Sequence, residues 1–201
     1  LLRYSKQIML PQIDIDGQQK IMDSTVLIIG MGGLGSPTAL YLAAAGVGHI
    51  IIADFDQVEL SNLQRQIIHQ TKDIGEDKVS SAKNKLVELN PEIKVTVANE
   101  LVHTGNLSSL GKDVDLVLDG TDNFESRFEI NKVCVDHKKP LISAAVIRFE
   151  GQVSVFKGYE KDQPCYQCLY KEEGDDNESC VQNGVLAPVA GSIGTCLLYS
   201  S

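Results

Sequence analysis

No apolar run in the chain reaches the ~18 residues that a membrane-spanning helix needs, and no basic-then-apolar leader opens it. Membrane association is therefore not expected, and a cytoplasmic location is. Cations are scarce as well: 18 Lys and Arg stand against 27 Asp and Glu, a formal net charge of −9. Non-specific nucleic-acid binding relies on clustered cations that displace counterions, so this balance argues against that class of partner. There is no internal repeat and no low-complexity segment. The five cysteines are poor disulfide candidates in a compartment that keeps thiols reduced. What remains is ordinary globular composition, 43% hydrophobic and 22% charged over 201 residues. That length suits one domain with a core of its own.

Residues 1–23 mix polar and apolar positions around Gly17 and read as an N-terminal helical arm. A continuous apolar run at 26–29 ends at Gly30, as a buried parallel strand does. An Ala/Leu-rich helix follows at about 34–45, stopped by Gly46 and Gly48. Further strands are expected at 50–53, 95–98, 114–118 and from Pro140 to Ala145, with helices at 78–89 and 125–137. This alternation is the pattern of a doubly wound α/β, Rossmann-like, mostly parallel sheet. Residues 151–156 alternate like a half-exposed strand, 158–184 form a long polar crossover loop, and Pro188 opens a final helix. The division expected is an arm (1–23), a nucleotide-binding core (24–157) and a cysteine-bearing C-terminal part (158–201), in one domain. Cys134 and Cys196 fall in apolar periodic stretches and read as core fillers.

Chemistry concentrates where strands end. Gly30, Gly32, Gly33 and Gly35 lie between the first strand and its helix. Glycine there lets the backbone approach a phosphate, and the helix start offers free N–H donors. Asp54 ends the second strand at the spacing of a ribose-binding acid. Alone, these residues fit an NAD-dependent oxidoreductase, or mere turn chemistry. The segment D-F-D-Q-V-E-L-S-N-L-Q-R-Q at 54–66 adds Asn62, Arg65 and Gln66, Lys78 opens the next helix, and T-D-N stands at 121–123. An Arg, a Lys and an Asp converging near phosphates serve phosphoryl-type transfer, where charge builds on oxygens, and not hydride transfer.

The glycine turn G-M-G-G-L-G at 30–35, the 54–66 block, Lys78, T-D-N and C-Y-Q-C at 165–168 together resemble the MoeB/ThiF/HesA family, bacterial relatives of ubiquitin E1 enzymes. The resemblance runs from about Arg3 to the end of the chain. It implies ATP-dependent adenylation of the Gly-Gly C-terminal carboxylate of a ubiquitin-like sulfur-carrier protein, with release of pyrophosphate. It also implies roles: Gly30, Gly32, Gly33 and Gly35 at the phosphates, Asp54 on the ribose, and Asn62, Arg65 and Lys78 on the polyphosphate. Gln66 and Asn123 stand alongside, and Asp122 organises Mg²⁺. Arg65, Lys78 and Asp122 are then the catalytic set. Asp56 either touches ligand or is a turn acid; Arg127 reads as structural, paired with an acid; Arg148 and Glu150 are candidates to face the carrier. A non-catalytic scaffold that binds a ubiquitin-like partner is a further alternative.

Two departures stand out. The family's R-Y-x-R-Q reads R-Y-S-K-Q here, placing Lys6 where the resemblance implies an Arg reaching into a partner subunit's ATP site. Lysine keeps the charge without the bidentate fork, and the implied assembly is a homodimer. Gly120 stands where relatives often have Cys. Cys165 and Cys168 admit three readings: half a zinc site, a redox pair, or coincidence. The resemblance favours structural Zn²⁺, whose second C-x-x-C lies past the final helix, beyond the point where this sequence stops. Cys180 is either a spare loop cysteine or, by resemblance, a carrier-linking thiol. The stretches at 144–152 and 184–188 look closer to the molybdopterin branch than to the thiamine branch, and the opening segment resembles the thiamine branch about equally.

Overall fold

The computed structural model describes residues 2–171 and 184–199. Six strands form one sheet in the order β3-β2-β1-β4-β5-β6. They are β1 (Thr25–Ile29), β2 (His49–Ala53), β3 (Lys94–Ala98), β4 (Leu116–Asp119), β5 (Leu141–Ile147) and β6 (Glu150–Phe156). The first five are parallel to one another, and β6 returns antiparallel along β5. Chain order runs outward on one side of β1 and on the other side from β4. The switch point thus falls between β1 and β4, where open α/β sheets bind ligands beyond their strand ends. Register brings those ends level, since Ile29 pairs with both Ala53 and Asp119.

Alternation along each strand sends successive side chains to opposite faces. Val26, Ile28, Ile50 and Ile52 enter the core under α3 (Gly35–Ala45), α4 (Lys78–Leu89) and α8 (Ala187–Tyr199). Leu27, Ile29, Ile51 and Ala53 enter the opposite core, beneath α5 (Thr104–Leu110), α6 (Phe124–Asp136) and α7 (Tyr166–Leu169), a short helix inside the expected crossover loop. The parallel strands are apolar on both faces because both are covered.

Local rules fix the helix ends. Gly46 stops α3 with φ +89°, its N–H donating to Leu42 and Ala43 carbonyls, the usual left-handed glycine close. The arm, α1 (Ser5–Ile8) and α2 (Asp14–Asp23), is pinned beside that end. Gln7 and the fully buried Gln18 donate to the Ala45 carbonyl, and the Tyr4 ring fills the space a Gly46 side chain would need.

The expected alternation is present, with three differences. Residues 104–110 form α5, which T-G-N-L-S-S-L does not announce. Its start is organised by capping: His103 accepts from the Gly105 N–H, and the Thr104 N–H and hydroxyl both donate to Glu129 on α6. The fourth strand begins at Leu116 rather than at Val114, which is buried before the ladder starts. Cys196 is exposed rather than a core filler, because α8 turns Ala190, Gly194 and Leu197 inward and leaves Cys196 outward. Cys134, by contrast, is buried. No helix among the described residues is long and apolar enough to cross a membrane.

Candidate nucleotide site

Glycine is compulsory at two places in the β1–α3 turn. Gly30 has φ +90°, and a Cβ there would lie 2.9 Å from the Gly120 carbonyl oxygen. A Cβ on Gly35 would collide with the Gly30 carbonyl oxygen. Gly32 and Gly33 face a cavity of about 420 Å³ at the C-terminal ends of β1, β2, β4 and β5.

Asp54, 9% exposed, stands at the end of β2 on that cavity. Its carboxylate accepts from the Met31 N–H at 2.7 Å and the Asp56 N–H at 2.8 Å, so this acid braces the glycine turn. Burial pushes its pKa above the ordinary value, against the pull of Lys78 and of those two N–H groups. Lys78, the first residue of α4, has a side chain only 7% exposed, and Nζ lies 2.7 Å from Asp56 Oδ2. The pair lines the cavity wall. Arg65 also lines it, steadied by donation to the Ser61 carbonyl at 3.2 Å. Gln66 is 3% exposed beside them, and its Oε1 has no hydrogen-bond partner among the described residues. Asn62 is not among the lining residues; its Oδ1 accepts from the Glu59 N–H and closes a short turn.

On the opposite wall, Asn123 caps α6 by accepting from the Ser126 N–H at 2.9 Å, and Asp122 precedes it, exposed. No hydrogen bond or ion pair among the described residues occupies the Asp122 carboxylate. Beneath them lies a buried hub that the sequence reading passed over. Asp119, 0% exposed, accepts from the Thr121 N–H and hydroxyl at 2.9 and 2.6 Å and from the Ser143 hydroxyl at 2.6 Å. Arg127 does pair with an acid, with Nε 3.9 Å from Asp119 Oδ2, and it donates to the Thr121 carbonyl at 2.6 Å. It also lines the cavity, beneath the Phe124 ring at 5.7 Å. The signal available in the sequence was a lone acid closing the apolar run L-V-L.

Glu150, the first residue of β6, lines the cavity; Arg148, left-handed at φ +52° in the β5–β6 turn, is exposed outside it. Lys6 is exposed on the arm, which is held at the C-terminal ends of α3 and α4, the ends away from this cavity. Cys165 and Cys168 Sγ atoms are 3.5 Å apart. Tetrahedral zinc with ~2.3 Å bonds puts its sulfurs roughly 3.8 Å apart, so the pair fits two of four ligands. No group of three or more metal-ligating side chains gathers among the described residues. Burial alone would raise the Cys165 thiol, but Asn131, Cys168 and backbone N–H groups outweigh it and hold its pKa below the ordinary range. Burial instead pushes Cys134 up to about 12. Alkylation of native protein at pH 8 is therefore expected to label Cys165 well before Cys134; labelling of Cys134 first in folded protein would contradict this order. Cys180 lies outside the described residues.

Cations, a helix N-terminal end and a buried acid at a strand end, gathered on one cavity, suit a nucleoside polyphosphate. Comparison with known proteins agrees. The ThiF family pattern matches residues 4–199. Molybdopterin-synthase adenylyltransferase of Escherichia coli (strain K12) is 47% identical over 195 residues, 97% of this chain and 78% of that protein. Sulfur carrier protein ThiS adenylyltransferase of the same strain is 46% identical over 194 residues, 96% of this chain and 77% of that protein. Among solved structures, E. coli MccB with ATP has a TM-score of 0.79 at 25% identity. The match takes in 98% of this chain and 61% of MccB, less than two thirds of that chain.

Proposed function

The chain belongs to the ThiF family and is a carrier-protein adenylyltransferase, and from that premise we propose that it joins AMP from ATP to the C-terminal Gly-Gly carboxylate of a ubiquitin-like sulfur carrier. One observation carries the assignment of the site: the glycine turn, Lys78 and Asp122 meet on one cavity at the sheet's switch point. Relatives named for adenylation make hydride transfer the weaker reading.

The nucleophile needs no general base, since a C-terminal carboxylate with a reference pKa of roughly 3.5 is ionised at neutral pH. Its oxygen attacks the α-phosphorus, the bond from that phosphorus to the bridging oxygen breaks, and pyrophosphate leaves. Catalysis is then positioning and charge neutralisation. Asp54 holds the ribose and the amides of the glycine turn meet the phosphates. Arg65 and Lys78 oppose the charge that builds on the phosphate oxygens, with Gln66 and Asn123 completing the walls. Asp122 suits Mg²⁺, a hard cation that takes one carboxylate plus phosphate oxygens and would neutralise charge there. Cys165 and Cys168 would supply two ligands to a structural Zn²⁺. Asn62 enters only if its turn reopens around ligand.

Three further parts of the reading follow the same family. Lys6, on an arm that leaves its own cavity, serves the site of a second subunit in a homodimer. Cys180 is held as a carrier-linking thiol. Residues 24–157 form the nucleotide-binding core between the arm (1–23) and the cysteine-bearing part (158–201). Identities of 47% and 46% set the two pathways side by side; the stretches at 144–152 and 184–188 favour the molybdopterin carrier.

ATP–pyrophosphate exchange with Mg²⁺ and either carrier tests this directly. Exchange is expected with a carrier of the molybdopterin type, at least ~10-fold faster than with one of the thiamine type. Equal or reversed rates would remove the pathway assignment, and no exchange despite ATP binding would remove the activity.

A further inference from the structure

Outside the residues given roles above, the most complete buried polar chain runs from the glycine turn to α4. His69 Nε2 lies 3.1 Å from the Met31 carbonyl oxygen, and Nδ1 lies 2.8 Å from the Ser81 hydroxyl. That hydroxyl is also 2.9 Å from Asp73 Oδ2, which accepts from the Gln70 N–H at 2.8 Å. All four side chains are buried: Met31 0%, Ser81 4%, His69 5% and Asp73 8% exposed. Burial keeps the imidazole pKa below its ordinary value, with the Met31 carbonyl and Asp73 opposing that shift and Lys78 adding to it. A neutral ring carries one proton. The Met31 carbonyl is only an acceptor, so the 3.1 Å contact needs the proton on Nε2, and the one Ser81 hydroxyl proton is then shared between its two acceptors, Nδ1 and Asp73 Oδ2.

The consequence lies in the peptide that follows. The Met31–Gly32 bond is trans, so its carbonyl and N–H point in opposite directions. Its carbonyl is drawn to His69, while the Met31 N–H on the preceding peptide is drawn to Asp54. The Gly32 N–H is thereby turned away from His69, at a residue that lines the cavity. No hydrogen bond among the described residues uses that N–H. Aimed N–H groups in succession form an anion-binding concavity; a rotated peptide would present a carbonyl oxygen to the phosphates instead. Glycine at 32 has no side chain to resist that rotation.

We infer that His69 is a positioning residue for nucleotide binding: it locks the Met31–Gly32 peptide with its N–H toward the phosphates, and Ser81 fixes the ring that does so. The inference rests on the adenylation reading above.

The test combines exchange kinetics, with ATP varied, and nitrogen-edited NMR of the unmodified protein. His69→Ala is expected to raise KM for ATP on the order of tenfold, one well-placed hydrogen bond, with kcat nearly unchanged. His69→Gln, whose amide can donate to the same carbonyl, should recover most of that loss, and Ser81→Ala should raise KM by roughly threefold. The NMR spectrum should show the neutral Nε2–H tautomer of His69. A KM within about twofold of the parent in His69→Ala, or an Nδ1–H tautomer, overturns the inference. Should His69→Ala fail to fold, His69→Gln and the tautomer decide. Should the unmodified chain show no exchange, the adenylation reading falls alone, and calorimetric ATP affinities of the same variants replace KM.

Discussion

Exchanging Lys78 for Met is expected to lower kcat/KM for adenylation by roughly 10³-fold, the scale of losing one preorganised charge at a reacting phosphate. The placement of Lys78 is unfavourable for stability alone. It opens α4, where the helix dipole disfavours a cation, and its side chain is 7% exposed. Asp56, 2.7 Å away, offsets this while itself remaining 49% exposed. Its carboxylate therefore keeps much of its hydration when Lys78 is removed, and the loss of stability should be only about 1 kcal/mol. Steady-state exchange and thermal unfolding on the same preparation separate the two effects. A variant that keeps kcat/KM within about fivefold while melting several degrees lower would make Lys78 the counter-ion of Asp56 and nothing more.

Gly35→Ala should be among the most damaging small substitutions at the described residues. The added methyl would overlap the Gly30 carbonyl oxygen, a backbone atom that cannot rotate aside. Gly30 is itself fixed by its N–H bond to Ala53 and by its close approach to Gly120. Relief requires α3 to withdraw from β1, opening the core where the two elements pack, at about 4 kcal/mol or more. That is a large share of the 5–15 kcal/mol typical of a domain. Gly191→Ala is the matched control. It lies in α8, a Cβ there would meet nothing within 4 Å, and alanine's helix preference should add up to ~1 kcal/mol. Urea midpoints would show the contrast. Equal midpoints for the two variants would mean that the turn has slack that the close contacts do not suggest.

The parts legible in the sequence were those governed by local rules. Apolar runs at β1 and β2 followed by Gly30 and Asp54 marked strand ends, and Gly46 marked the close of α3, because each depends on near neighbours in the chain. The Lys78–Asp56 pair was legible only as an acid past a strand end and a cation at a helix start, since its geometry depends on how α4 docks. Asp119 and His69 were not legible. A carboxylate satisfied by Thr121, Ser143 and Arg127, or an imidazole bridging residues 31 and 81, acquires its meaning from partners that only the fold assembles. Cys196 went astray for a related reason: an apolar helix with two flanking neighbours does not declare its inward face through its own residues.

The Phe124 ring at the cavity wall, over Arg127 and 6.5 Å from the Tyr170 ring, has an optical consequence. The chain contains no tryptophan. Phe124→Trp would therefore install a single indole beside a guanidinium and the nucleotide, and its emission would report the arrival of ATP against a background of tyrosine alone.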